Sequence, residues 1–139
     1  IIESCDCLRL GLNAEDGAYI VPLNFAYVPG KPAKFYFHSA KEGRKVDMIG
    51  QGAKAGFELD GAHRLGEAET GCRHTFFYQS VIGTGTVRPV ETLEEKKRAL
   101  SAIMAHYRKD CAFSFTDEQA DAVAVFCLTA ETMSCKQHS

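Results

Sequence analysis

Apolar and polar positions alternate along most of this chain, and the alternation predicts strands. Residues 7–13 form a short run, stopped by Ala14-Glu15-Asp16-Gly17, where Asp-Gly marks a tight turn. Residues 19–28 read as one long strand, with Tyr19, Val21, Leu23, Phe25 and Tyr27 on one face and Ile20, Pro22, Asn24, Ala26 and Val28 on the other. Pro22 cannot donate to a ladder, so it marks an edge, a bulge or a place approached by something other than a strand. After the turn Pro29-Gly30-Lys31-Pro32, residues 34–39 return as a strand, and residues 53–60 form another. Residues 61–72 are predicted as a polar loop, long enough to suspect a functional role. Residues 74–90 make the longest strand. Its Gly83-Thr84-Gly85-Thr86 segment lacks bulk at alternate positions, which lets a backbone or a ligand come close. Residues 122–129 close the order as an apolar strand.

Three stretches break to helical spacing. Ser39 and Glu42 fit a capping box for a helix over residues 40–49, with Val46 and Ile49 as its apolar stripe and Gly50-Gln51-Gly52 as its stop. Thr92 and Glu95 open the clearest helix, in which Leu93, Leu100, Ile103, Met104 and Tyr107 make a core-facing stripe. Thr116-Asp117-Glu118-Gln119 starts a short helical turn. Many strands, few helices and glycine-marked turns predict a mainly β single domain over residues 1–139, a small antiparallel barrel with helices outside; an open two-layer sheet is the competitor. A dinucleotide fold fits poorly, because no Gly-x-Gly-x-x-Gly follows the first strand.

The formal net charge of −2 and the interspersed basic and acidic residues argue against a nucleic-acid surface. Apolar runs are too short for a membrane-spanning helix. Cysteines at positions 5, 7, 72, 111, 127 and 135 include no Cys-x-x-Cys pair. They are expected to be reduced, which points to a cytoplasmic protein. Cys5 and Cys7 are expected as small buried hydrophobes on one strand face. His63, Cys72 and His74 offer metal-ligand types in one loop without a second ligand pair, so no metal is expected.

The densest candidate chemistry lies in Phe37-His38-Ser39-Ala40-Lys41-Glu42-Gly43-Arg44-Lys45-Val46. A hydroxyl and three cations meet there at a strand-to-helix corner, chemistry suited to a phosphate, with Arg44 as a bidentate fork and Lys45 as a point charge. A capped, solvated surface helix has the same local pattern.

Three stretches together resemble the FMN-binding split barrels related to pyridoxamine 5′-phosphate oxidase, and within them the 5-nitroimidazole resistance (Nim-like) branch. They are Tyr19-Ile20-Val21-Pro22-Leu23-Asn24-Phe25-Ala26-Tyr27, Tyr36-Phe37-His38-Ser39-Ala40 through Gly43-Arg44-Lys45, and Cys72-Arg73-His74-Thr75-Phe76-Phe77-Tyr78-Gln79-Ser80-Val81-Ile82-Gly83. The resemblance implies a split barrel of about six antiparallel strands and a homodimer with FMN at the subunit interface. Val21, Pro22, Leu23 and Asn24 would then lie along the flavin ring, and His38, Ser39, Arg44 and Lys45 around the phosphate and ribityl chain. Ser80 would lie beside the cofactor, contributed across the interface. The chain departs from the vitamin-forming oxidases in having no Trp and no arginine-rich C-terminal segment, so oxidation of pyridoxamine phosphate is not expected.

The implied activity is an FMN-dependent reductase, carrying electrons from a nicotinamide nucleotide to a small electrophile such as a nitroaromatic. His38 is the candidate for proton supply or substrate contact, since imidazole changes charge near neutral pH; it equally suits a plain hydrogen bond to the cofactor. Tyr78 is a candidate for contact near the ring or a core tyrosine. The alternative function is a non-catalytic module that stores or senses FMN or holds haem, for which His38, His63 and His74 offer imidazole ligands.

Overall fold

Strand β1 (Leu8–Ala14) turns at Glu15-Asp16 into β2 (Gly17–Leu23) in the computed structural model, which describes residues 1–139. The hairpin pairs Ala14 with Gly17 and Leu8 with Leu23. Gly17 sits at φ +123°, a backbone conformation that a side chain would strain. Ala14 and Gly17 flank a two-residue turn, so they form a hydrogen-bonded rung, and alternation from there leaves Pro22 on a non-hydrogen-bonded rung opposite Arg9. The position of Pro22 thus needs no amide, and β2 is indeed an edge strand.

The single strand expected over residues 19–28 is two. The chain leaves β2 at Leu23, crosses Asn24-Phe25, and enters β3 (Ala26–Val28), which pairs with β4 (Lys34–Ser39). The remaining strands are β5 (Ala53–Gly66), β6 (Thr75–Pro89) and β7 (Ala124–His138), and every pairing is antiparallel. The sheet order is β2-β1-β5-β6-β7-β4-β3. Its two edges, β2 and β3, are joined by only two residues, so the seven-stranded sheet must curl until its edges nearly meet. That is a barrel closed by chain connection instead of by a ladder, a split barrel.

Inward positions fill the barrel with Leu8, Leu10, Phe25, Phe35, Phe37, Leu59, Val87, Phe126 and Leu128, all essentially fully buried. Phe35 links Phe25 (6.1 Å between centroids) to Phe57 (5.1 Å), and Phe37 stacks on Phe126 (5.3 Å). Ile49 and Cys5 belong to the same core, Cys5 Sγ lying 3.7 Å from the Cβ position of Gly61 on β5. Gly83 and Gly85 settle what comes close to them: a Cβ on either would collide with β7 backbone oxygens, Thr132 and Thr129 respectively, and on Gly83 also with the Phe57 ring.

The helices depart from expectation in instructive ways. Helix α1 spans Arg44–Ile49, not residues 40–49, because Ser39 ends β4 and its hydroxyl donates to the Ala40 carbonyl (2.7 Å) without capping anything. Its end is as expected, at Gly50 with φ +53°. In α2 (Leu93–Tyr107) Thr92 Oγ1 accepts the Glu95 amide (3.2 Å), but the Glu95 carboxylate accepts the Tyr36 hydroxyl (3.3 Å) instead of returning to the cap. Leu93 and Tyr107, both expected in the core stripe, are exposed. Helix α3 (Asp117–Asp121) carries the complete box between Thr116 and Gln119. A small second core of Val90, Ala99, Leu100, Ala120 and Val125 packs the helices on the β4 and β7 side.

Three further expectations are corrected. The polar loop over residues 61–72 is strand as far as Gly66, with a bulge between Gly61 and Arg64 and Ala62 at φ +55°. The last strand runs on from Thr129 to His138, paired with β6 as far as Tyr78. Cys5 and Cys7 precede β1 and do not share a strand face, although Cys5 is buried; all six thiols are free. No helix is long and apolar enough to cross a membrane.

Candidate functional site

The corner between β4 and α1 collects most of the polar candidates. β4 is held between β3 and β7, with Ser39 opposite Ala124 and His38 opposite Val125. The chain then bends through Ala40 to Gly43, where φ is +144°, and starts α1 at Arg44. Backbone amides from Lys41 to Val46 make no hydrogen bond within the chain, since the first α1 bond is Asp47 N–H to Gly43 O (3.1 Å).

The cations around this corner differ in how far they are engaged. Arg44 is bound to Asp16 of the first hairpin turn (3.2 Å) and lies 4.5 Å over the ring of Tyr19. Lys41 approaches Asp121 at 3.8 Å. Lys45 has no carboxylate partner, and desolvation pulls its ammonium below the ordinary lysine range. His38 is lowered from 6.5, first by desolvation and then by the positive charge of Lys45. The imidazole at this corner, though exposed, is thus shifted toward its neutral form, and Lys45 is the one cation of the three left without a carboxylate partner, where an anion is welcome.

Val21, Pro22, Leu23 and Asn24 lie on the free edge strand β2 and its exit. Leu23 is buried, Val21 half-buried, and Pro22 and Asn24 exposed. The β3–β4 ladder sets Ala26 opposite Tyr36, so Asn24 and His38 each stand two residues beyond the same rung. Arg44 over Tyr19 ties α1 to the other end of β2. The fold thus gathers the β2 edge, the end of β4 and the first turn of α1 on one side of the barrel.

Ser80 is elsewhere. It pairs with Asp60 on β5 and Lys136 on β7, nearly the whole length of β7 away from Ala124, the partner of Ser39. Within one chain it does not join the corner. Tyr78 is also remote, beside His138 (6.3 Å) and under Lys136 (5.9 Å). His63 pairs with Asp60 (3.3 Å), His74 donates through Nδ1 to Thr70 O (2.9 Å), and no three metal-ligating side chains gather anywhere.

Comparison with known proteins decides the family. The family model for pyridoxamine 5′-phosphate oxidase matches residues 1–137. The chain belongs to the pyridoxamine 5′-phosphate oxidase family. Its split barrel is similar to the crystal structure of a candidate 5-nitroimidazole antibiotic resistance protein from Bacteroides thetaiotaomicron, with 31% identity and a TM-score of 0.82 over 97% of this chain and 78% of that one. The FAD and heme binding protein from Mycobacterium smegmatis shares the fold at 15% identity, TM-score 0.81, over 99% of this chain and 68% of that one. An FAD-binding protein from Mesorhizobium loti does so at 17% identity, TM-score 0.67, over 100% and 91%. No curated protein sequence matches the chain.

Two contacts around the site carry no sign in the sequence: Asp16 and Tyr19 holding Arg44, and the Tyr107 hydroxyl accepting the Phe25 amide. Their roles come from contacts between distant segments.

Proposed function

We propose that this family member is an FMN-dependent reductase, a homodimer that takes electrons from a nicotinamide nucleotide and delivers them to a small electrophile such as a nitroaromatic. The observation that carries the reading is Lys45, a half-buried ammonium without a carboxylate partner, close to His38 and set at a corner whose backbone amides from Lys41 to Val46 are unbonded. A terminal phosphate supplies the missing counter-charge and accepts several of those donors. The residues therefore fit FMN at its phosphate end. At the ring end, the free edge of β2 leaves alternate backbone donors and acceptors without a strand to pair, and a planar heterocycle with polar edges can take them.

When bound, the flavin supplies the hydride and electron chemistry. The chain's residues bind, orient and manage protons. Lys45 and Ser39 hold the phosphate, and Arg44 joins them if it leaves Asp16. Val21 to Asn24 line the ring. His38 offers an imidazole N–H, and a phosphate that neutralises Lys45 lifts its pKa back toward the ordinary value, where it can also release a proton.

Dimerisation explains the uncovered side of the sheet. Helix α2 lies against β3, β4 and β7, while Ile20, Leu65, Phe76 and Ile82 stand on the outer face of β2, β5 and β6 with half or more of their surface exposed. A second copy seated there would bury them and bring its Ser80 toward the flavin. The nitroaromatic assignment draws on the 31% identity to the Bacteroides protein.

A visible spectrum of the purified protein, repeated anaerobically with NADH and with NADPH, tests the proposal. A two-band flavin spectrum bleached by either donor is expected. A colourless protein that takes up no added FMN would remove the cofactor assignment.

A further inference from the structure

We propose that Tyr107 is a positioning residue, fixing the Asn24-Phe25 crossing from the last turn of α2 so that the β2 edge is ordered before a flavin arrives. The inference rests on the flavin reading of that edge. Phe25 lies where the chain passes from one sheet edge to the other, so neither the β1 nor the β4 ladder offers its amide an acceptor. A part-buried amide requires a partner, and here that partner is the Tyr107 hydroxyl at 3.2 Å. The same hydroxyl donates to the Asp6 carbonyl at 2.8 Å. One phenol thus joins α2, the N-terminal segment and the crossing.

His106 doubles the tie. Its Nε2–H donates to the Cys5 carbonyl at 2.6 Å, which fixes the tautomer, and its ring lies 4.4 Å from that of Phe25 and edge-on to Tyr107 at 4.7 Å. Phe25 is itself fully buried. Asn24, directly before the held amide, is exposed at the mouth of the candidate ring site. A segment outside every ladder has to be ordered when it binds a planar ligand, and ordering it in the free protein removes that cost from the binding step.

Tyr107→Phe keeps the ring and deletes the hydroxyl. In the ligand-free variant the Phe25 amide is expected to exchange hydrogen faster than in the wild type. FMN and riboflavin are both expected to bind about tenfold more weakly, the worth of one such hydrogen bond, with their affinity ratio unchanged because the phosphate corner is untouched. A purely structural role lowers the unfolding midpoint but leaves both dissociation constants at their wild-type values, and that result overturns the proposal. If Tyr107→Phe does not fold, His106→Gln keeps a donor for Cys5 and loses the ring against Phe25. It too is expected to weaken both flavins together, and wild-type affinity for both overturns the proposal. A wild-type protein that binds neither flavin removes the flavin reading and this proposal with it; wild-type binding with unaltered variants removes this proposal alone.

Discussion

Arg44 is held 4.5 Å over the ring of Tyr19 while its guanidinium bonds Asp16, so the two neighbouring cations of α1 begin from different states. Lys45 is free to meet an anion. Arg44 must first leave a surface ion pair worth at most about 1 kcal/mol. Lys45→Ala is therefore expected to weaken FMN binding by about 2 kcal/mol, roughly thirtyfold, and to leave riboflavin unaffected. Arg44→Ala should cost less, and Asp16→Asn should tighten FMN slightly by releasing Arg44. Isothermal titration with both ligands checks the set. Equal losses for FMN and riboflavin in Lys45→Ala would move the phosphate away from this corner.

His38 yields a pH prediction whose sign follows from its depressed pKa, caused by desolvation and then by Lys45. In the unfolded chain the imidazole titrates near 6.5, and in the fold it titrates lower. Between those values the unfolded state binds more protons. The contribution of His38 to stability is therefore complete above pH 6.5 and is lost as pH falls through the window beneath it. FMN should shift the His38 titration upward by neutralising Lys45. An NMR titration of the imidazole, without and with FMN, reads both values; an unmoved His38 in the complex would place the phosphate out of its reach. For the catalytic role, His38→Ala should retain FMN and lose turnover.

How much of this was legible beforehand depends on whether the signal was local. Lys34–Ser39, the helix stop at Gly50 and the short helical turn begun at Thr116 follow from nearest neighbours and appear as read. The Asn24-Phe25 break is invisible to alternation, because Leu23, Phe25 and Tyr27 keep one apolar rhythm although Leu23 and Tyr27 serve different ladders. Ala62 to Gly66 and Glu131 to His138 look like loop and tail since their side chains are mostly exposed; backbone pairing to β6 makes them strands. Likewise the corner's cations and the β2 edge were readable as a family pattern. The Tyr107 tie was not, since its partner Phe25 is 82 residues away and the phenol looks like one more apolar helix position.

A strand glycine, Gly85, makes a stability prediction. A Cβ on Gly85 would meet the Thr129 carbonyl and lie 3.1 Å from Leu128 Cδ1, and backbone there cannot yield without opening the β6–β7 ladder. Gly85→Ala is expected to destabilise the barrel by about 3 kcal/mol. Gly71, with open space around its Cβ position, is the control, and Gly71→Ala should change stability by less than about 0.5 kcal/mol. Urea unfolding midpoints compare the two, and equal midpoints would mean that β7 does not approach Gly85 as closely as described.

The uncovered sheet face tests the dimer. Ile82 is 57% and Ile20 63% exposed, on rungs of the same outer surface, where solvent contact of this size has no stabilising role in a monomer. In a two-fold interface each residue acts twice, so Ile82→Glu, losing about 2 kcal/mol per protomer, should raise the dimer dissociation constant roughly a thousandfold. Phe113→Ser, at a residue 38% exposed beyond α2, should leave assembly unchanged. Sedimentation velocity over a concentration series reads the result. Because Ser80 lies on the same strand as Ile82 and far from the β4–α1 corner of its own chain, the monomerised variant should also bind FMN more weakly, although every other candidate ligand residue is intact. A monomer that binds FMN with wild-type affinity would show that the flavin needs one chain only, and Ser80 would drop out of the site.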